Sequence, residues 1–300
     1  MSFAYRVKEE LCRGGVQRLC CARAESYGVL LYCNTFHADE VRIITENSEF
    51  AGRLPRLFQR AFGVRFDRVP DPEIPGKLIF QITDSEKMQK IIGTLGYDQK
   101  QSLVMHVNFG LLEEDCCRMS FLRGAFLAGG SVTDPEKRYH LELVTGHAQA
   151  SREVSTLLEE SGFLPRSVMR SGSSVIYFKQ SEHIEDFLTG IGAPVSAMDI
   201  MTAKVDKSIR NGANRAMNCD MANVNKTINA AEEQIMAIER LRKSGKLQTL
   251  PEKLRETADL RSQNPELSLQ QLADKHDPPL SKSCLNHRLR KITELAGEKA

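Results

Sequence analysis

Two adjacent cysteine pairs, Cys20-Cys21 and Cys116-Cys117, are related by an offset of 96 residues that also relates Gly28 to Gly124 and Leu31 to Leu127. Thiolates can hold soft metals or close disulfides, yet zinc clamps ordinarily draw on ligands about two to four residues apart. Neither the pairs nor Cys12, Cys33, Cys219 and Cys284 show C-x-x-C or C-x-x-H spacing. The thiols are therefore read as buried and reduced, and no metal or cofactor is expected. A second set of reactive groups lies near the C-terminus: Ser281, Lys282, Ser283, Asn286, His287, Arg288, Arg290 and Lys291. Asn pairs bidentately with adenine and Arg with guanine, while flanking cations suit phosphates. These types together point to double-stranded DNA, if one helix carries them.

The stretch "SKSCLNHRLRKITELAG" meets that condition. At roughly 100° per residue, Leu285, Leu289, Ile292 and Ala296 form one apolar stripe, and the polar set lies on the other side. A solvated basic face has a similar composition, but four basic and no acidic side chains between Ser281 and Lys291 favour DNA. Upstream, "SLQQLADKH" opens with a Ser268-x-x-Gln271 capping box, and Pro278-Pro279 makes the turn between the two helices. A short helix, a tight turn and a longer basic helix outline a helix-turn-helix. Before them, "LPEKLRETADLRSQNP" predicts a helix with Pro251 in its first turn and Asn264-Pro265 closing it. In "MNCDMANVNKTINAAEEQIMAIERLRKSG", Val224, Ile228, Ala231, Ile235 and Ile238 share a face, Gly245 follows the basic end, and Asn218 is read as a cap. Residues 204–300 carry 18 Lys+Arg against 13 Asp+Glu, whereas residues 1–203 carry 23 against 26. A polyanion is attracted to the C-terminal third.

The offset recurs beyond the cysteines. "DSEKMQKIIGTLG" matches "QSEHIEDFLTGIG" at Ser85/Ser181, Glu86/Glu182, Ile92/Leu188, Gly93/Thr189 and Gly96/Gly192. Two separate segments with one spacing predict an internal duplication over residues 1 to about 195. The first copy reads as apolar helix, the strand-like "FHADEVRIITEN", the helix "SEFAGRLPRLFQRAFG" capped by Gly63, the strands "VRFDRV" and "KLIFQIT" around a Pro/Asp/Gly turn, and a helix opened by Asp84 or Ser85. The second follows the same order. The expected organisation is residues 1–197 as the paired unit (repeats about 1–97 and 98–197), 198–249 as a long linker helix region and 250–300 as the helix-turn-helix.

At 300 residues and 41% hydrophobic composition the chain can bury a full core. No stretch approaches the roughly 20 apolar residues of a membrane span, and "MSFAYRVKEELCR" has charges where a signal peptide is apolar. A cytoplasmic, nucleoid-associated protein without membrane partners is expected.

The repeated αββαββα-like unit resembles the LAGLIDADG homing endonucleases, whose paired helices pack through small residues and end in acidic metal ligands. Laid on that pattern, "SYGVLLYCN" and "LRGAFLAGG" keep the third-position glycines Gly28 and Gly124, implying a close helix interface. At the ligand positions stand Cys33 and Gly129; Gly offers no ligand atom and a thiol is a poor magnesium ligand. Asp39 and Asp134 lie farther along and read as turn formers. No catalysis is therefore expected.

Such a domain joined to a C-terminal helix-turn-helix looks like the WhiA family, on the residues "SFLRGAFLAGGSVTDPEKRYHLEL", "NRAMNCDMANVNKTINAA" and "PPLSKSCLNHRLRKI". The chain departs from the family's small helix end at Tyr32, Cys33 and Asn34. The resemblance implies an α+β fold with a duplicated LAGLIDADG-like domain and an all-α tail similar to sigma-factor region 4. It implies a DNA-binding protein of cell division and chromosome segregation, and a transcriptional regulator of sporulation in spore-forming relatives. A co-regulator or division protein would meet the LAGLIDADG-like domain. The alternative is a division-associated structural protein with incidental DNA binding; an active metal-dependent endonuclease is a third, weaker reading.

Overall fold

The computed structural model describes residues 1–16, 18–71, 76–97 and 105–297. Part of the turn read between the strands "VRFDRV" and "KLIFQIT" lies outside the described residues. The chain divides into two units, Met1–Ser208 and Ile209–Ala300.

The first unit opens with α1 (Phe3–Arg13), a short amphipathic helix whose Phe3, Val7 and Leu11 are buried. The first repeat follows as α2 (Leu19–Tyr32), β1 (Thr35–Phe36), β2 (Val41–Thr45), α3 (Ser48–Phe62), β3 (Leu78–Ile82) and α4 (Ser85–Thr94). The second runs α5 (Asp115–Gly129), β4 (Gly130–Val132), β5 (Leu141–Thr145), α6 (Ala148–Glu160), β6 (Arg166–Arg170), β7 (Ser173–Phe178) and α7 (Ser181–Ile191). Each repeat builds an antiparallel sheet, ordered β1-β2-β3 in one and β4-β5-β7-β6 in the other. The predicted strand "VRFDRV" does not form: among the described residues its backbone meets β3 at Gln81 alone, through the bridge with Arg68 and an Asp67 N–H to the Gln81 carbonyl at 2.9 Å. The Asp67 carboxylate instead accepts the Thr83 and Asp84 N–H groups at 2.7 and 2.9 Å, a turn-like contact in place of a ladder. In the second repeat the corresponding strand exists as β6, joined to β7 through Ser171 and Gly172, both at positive φ (48° and 82°), as a type I′ hairpin turn requires.

The two repeats meet along α2 and α5, both buried over most of their length. The contact is reciprocal. A Cβ on Gly28 would strike the Phe121 carbonyl and sit 2.8 Å from Ala125 N; a Cβ on Gly124 would strike the Glu25 carbonyl and sit 3.0 Å from Val29 N. Adding 96 to Glu25 and Val29 gives Phe121 and Ala125, so the interface obeys the same pseudo-twofold as the sequence. Only glycine permits this backbone approach.

Residues 194–243 form α8 (Pro194–Lys243), which contributes its first part to one unit and its last part to the other. Asn218 therefore caps nothing: it lies inside α8, exposed, in a segment whose helical bonding continues on both sides. Of the predicted apolar face, Ala231 and Ile238 are buried, but Val224 and Ile228 are 52% and 48% exposed. The core of the second unit begins only near the end of α8.

That unit continues with α9 (Glu252–Gln263), α10 (Leu269–Asp274) and α11 (Lys282–Gly297). Its core gathers Ile238, Leu241, Leu247, Leu254, Ala258, Leu272, Ala273, Leu285, Leu289 and Ile292. The buried Arg261 guanidinium donates to Gln234 Oε1 at 3.0 Å and to the Leu267 carbonyl at 2.6 Å, tying α9 to α8 and to the approach of α10. No helix among the described residues is long and apolar enough to cross a membrane.

Candidate nucleic-acid interface

The short helix α10 is set by its capping box. Ser268 Oγ accepts from Gln271 N at 3.4 Å, and Gln271 Oε1 accepts from Ser268 N at 3.0 Å, satisfying two N-terminal donors at once. Leu272 and Ala273 turn into the core. The Leu280 N–H returns to the Ala273 carbonyl at 3.0 Å, which closes the turn between α10 and α11.

Ser281 caps α11, its Oγ accepting from Cys284 N at 3.2 Å and its carbonyl from Leu285 N at 3.0 Å. Leu285, Leu289 and Ile292 face inward and are fully buried, with Ala296 packed partly against them. Their spacing fixes the rotation of the helix, so Lys282, Ser283, Asn286, His287, Arg290 and Lys291 are all exposed. Among the described residues Lys282, Ser283, Asn286, His287 and Lys291 make no side-chain hydrogen bond or ion pair. Arg290 Nε lies 2.9 Å from Glu294 Oε1; both are well exposed, and such pairs are weak enough to be exchanged for a stronger acceptor.

Arg288 is placed differently from the other members of the set. It is half-buried, and its Nη1 donates to the Lys253 carbonyl at 3.3 Å and to Thr257 Oγ1 at 3.4 Å. Those acceptors lie on α9, so the side chain holds α11 against its neighbour. The inward turn follows from its position at the edge of the buried stripe, three residues after Leu285 and four before Ile292.

The ends of the paired helices carry no carboxylate. Cys33 closes α2; its thiol donates to the carbonyls of Leu30 at 3.2 Å and Thr35 at 3.1 Å, and burial pushes it up to about 12. At the end of α5, a Cβ on Gly129 would strike the Val144 carbonyl and lie 3.0 Å from the Tyr32 carbonyl. Asp134 Oδ1 accepts from Glu136 N at 2.9 Å, and its carbonyl receives Lys137 and Arg138, the bonding of a turn. Asp39 is exposed in the loop before β2.

The cysteines depart from their reading as buried thiols. Cys20, Cys219 and Cys284 are exposed. Moreover, the Sγ atoms of Cys20, Cys21, Cys116 and Cys117 all lie within 4.8 Å of one another. Local spacing rules could not detect this set because each helix supplies only an adjacent pair. The shared offset, combined with the glycine-mediated crossing of the helices, was the available signal.

A duplicated, glycine-sealed LAGLIDADG-like domain followed by a helix-turn-helix defines the class of protein. Residues 118–210 match the WhiA LAGLIDADG-like domain and residues 213–296 the WhiA C-terminal HTH domain. The chain belongs to the WhiA family. It is 37% identical to the "Probable cell division protein WhiA" of Ruminiclostridium cellulolyticum, covering 99% of this chain and 97% of that one. The protein of the same name from Clostridium novyi is 36% identical, covering 99% and 98%. In fold the chain is similar to full-length DUF199/WhiA from Thermatoga maritima, with a TM-score of 0.59, 23% identity and coverage of 99% and 98%.

Proposed function

We propose that this chain is a non-enzymatic DNA-binding protein of cell division, acting as a transcriptional regulator and in chromosome segregation, with a sporulation role in spore-forming relatives. The observation that carries the reading is the outward face of α11. Its inner stripe is locked in the core, so Asn286 and Arg290 project together with Lys282 and Lys291 beside them. In the major groove of duplex DNA, Asn286 would pair with adenine and Arg290 with guanine, releasing Glu294. Lys282, Lys291, Ser281, Ser283 and His287 would contact phosphates and flanking edges. Arg288 would act by holding α11 on α9. The paired repeats (1–197), the linker helix region (198–249) and the helix-turn-helix (250–300) divide the work between a partner-binding platform, a connector and the DNA reader. Association with the nucleoid in the cytoplasm follows from DNA binding, and a co-regulator or division protein would dock on the repeats.

The test is a genome-wide map of bound sites for the intact protein and for an Asn286→Ala, Arg290→Ala double variant, with binding to recovered sites measured at fixed salt. The expected result is loss of site-specific occupancy. Undiminished specific binding would refute the assignment of α11.

A second reading, a division protein acting mainly through protein contacts, draws on the acidic balance of residues 1–203, 23 cations against 26 anions, a poor platform for phosphates. It requires the double variant to leave the cellular phenotype intact. Metal-dependent cleavage is disfavoured by Cys33 and Gly129 at the helix ends; nicking of supercoiled DNA with Mg²⁺ or Mn²⁺ that is lost on Asp134→Asn would reverse that reading.

A further inference from the structure

Four thiols converge where the paired helices begin. Cys20 and Cys21 are the second and third residues of α2, and Cys116 and Cys117 hold the same places in α5. The pseudo-twofold that sets Gly28 against α5 and Gly124 against α2 also brings these pairs together. All four Sγ atoms lie within 4.8 Å of one another, and the two within each pair are 4.0 Å apart. A disulfide requires about 2.05 Å between sulfurs, so these are four separate thiols.

A tetrahedral zinc ion with Zn–S bonds of about 2.3 Å places its four sulfurs about 3.8 Å from one another. The observed separations need only small side-chain rotations to reach that figure. An iron–sulfur cluster interposes iron and sulfide between its cysteines and therefore requires a wider cage. Adjacent residues of a helix diverge by roughly 100°, so one pair can span one edge of a tetrahedron and the opposing pair the other. Ligand spacing along a single segment is not needed when two helices each supply half the set.

The surroundings suit a negatively charged tetrathiolate complex. Neither α2 nor α5 has a side-chain cap at its N-terminus, so the positive ends of both helices lie beside the cluster, offset at α5 by the acidic Asp115 in its first turn. Arg18 Nη1 lies 4.0 Å from Cys116 Sγ. A cleft of about 290 Å³, lined among others by Gly15, Arg18, Cys21, Cys116 and Met119, reaches the cluster from solvent. Cys117 is buried and Cys20 exposed, so the site lies at the surface end of the helix interface.

We propose that Cys20, Cys21, Cys116 and Cys117 form a site for one thiophilic divalent cation, zinc being the ion the spacing suits, which staples the two repeats at the start of their paired helices. Binding exchanges four S–H bonds for four Zn–S bonds and releases four protons to water, with no electron transferred. The ion joins segments far apart in sequence, so it stabilises the folded unit by linkage.

The full-length protein, purified under reducing conditions and loaded with Zn²⁺, is dialysed and its metal content measured. One zinc per chain is expected, and a Co²⁺-loaded sample should show thiolate-to-cobalt charge transfer and the strong visible bands of a tetrahedral site. A Cys20→Ser, Cys117→Ser variant should lose both, whereas Cys219→Ser, Cys284→Ser should keep both. Should the first variant fold poorly by circular dichroism, the wild-type protein still decides. Zinc should raise its Tm and protect four of its thiols from alkylation, and a chelator should reverse both. Substoichiometric zinc without a Tm shift, retention of zinc by the folded Cys20/Cys117 variant, or recovery of iron with acid-labile sulfide would overturn the proposal.

Discussion

Arg123 Nε lies 3.0 Å from Glu25 Oε2, an ion pair across the boundary between the two repeats. Glu25 is buried inside the helix interface and is shared: Arg53 of α3 reaches the same carboxylate with Nε at 2.5 Å from Oε1 and Nη2 at 2.9 Å from Oε2. One carboxylate thus compensates two guanidinium groups from different repeats. Glu25→Ala would leave both uncompensated, Arg53 being only 5% exposed in its side chain. Removing one partner of a buried pair costs about 3–5 kcal/mol, so urea unfolding should show a loss of that order. A change below about 1 kcal/mol, the range of surface pairs, would mean that the network is solvated.

The glycines at the crossing should tolerate nothing larger. Gly28→Ala or Gly124→Ala sets a methyl group against a carbonyl and a backbone nitrogen, which no rotamer can relieve. Overpacking typically costs 1–3 kcal/mol and occasionally more. About 3 kcal/mol or more is expected here because the obstacle is backbone. By contrast, Gly52→Ala, at a position with open space around the added atom, should be neutral or slightly stabilising in the same denaturation assay.

Arginines two positions apart on α11 should separate by phenotype. Arg290→Ala is expected to weaken specific DNA binding by roughly 1–3 kcal/mol while leaving the unfolding midpoint nearly unchanged. Arg288→Ala should lower stability by about 0.5–1.5 kcal/mol through its lost bonds to Lys253 and Thr257. Lys282→Ala or Lys291→Ala should weaken binding to all sequences alike and reduce the salt slope by about one phosphate contact. Paired titrations at several salt concentrations distinguish these outcomes; loss of sequence preference in a lysine variant would contradict the phosphate role.

His276 supplies a pH dependence. Burial first, and the Arg288 charge second, hold its imidazole below the ordinary value, and its Nε2 lies 3.4 Å from Thr257 Oγ1. The folded state therefore binds fewer protons than the unfolded state, and the associated stability is complete above the unfolded value of about 6.5. It is lost as pH falls through 6.5 toward the folded pKa. Denaturation between about pH 7 and pH 5 should show the wild type losing stability more steeply than His276→Gln. His147, also depressed by burial, is present in both proteins and cancels in the difference. Parallel curves would remove His276 from the acid response.

Elements with strong local cues were legible in the sequence. The box at Ser268 and Gln271, the Gly63 cap and the Leu285/Leu289/Ile292 stripe each obey rules that operate within a few residues, and the structure has them where those rules place them. The glycine pair was legible through the repeat. What escaped depends on distant partners. Val224 and Ile228 have helical spacing but, among the described residues, no covering element, because the core that begins at Ile238 lies about two turns after Ala231 and does not reach back to them. Arg288 looks like its neighbours in one dimension; only the acceptors on α9 reveal its inward role. The four thiols form a set only after two helices cross.

Gly129 has a further consequence. A single codon change to Asp there would drive a new Cβ into the Val144 carbonyl before its carboxylate could meet any ion. Installing an acidic side chain at that helix end therefore demands a coordinated shift of β5 as well, so the strand's peptide, and not the residue alone, sets what that position can hold.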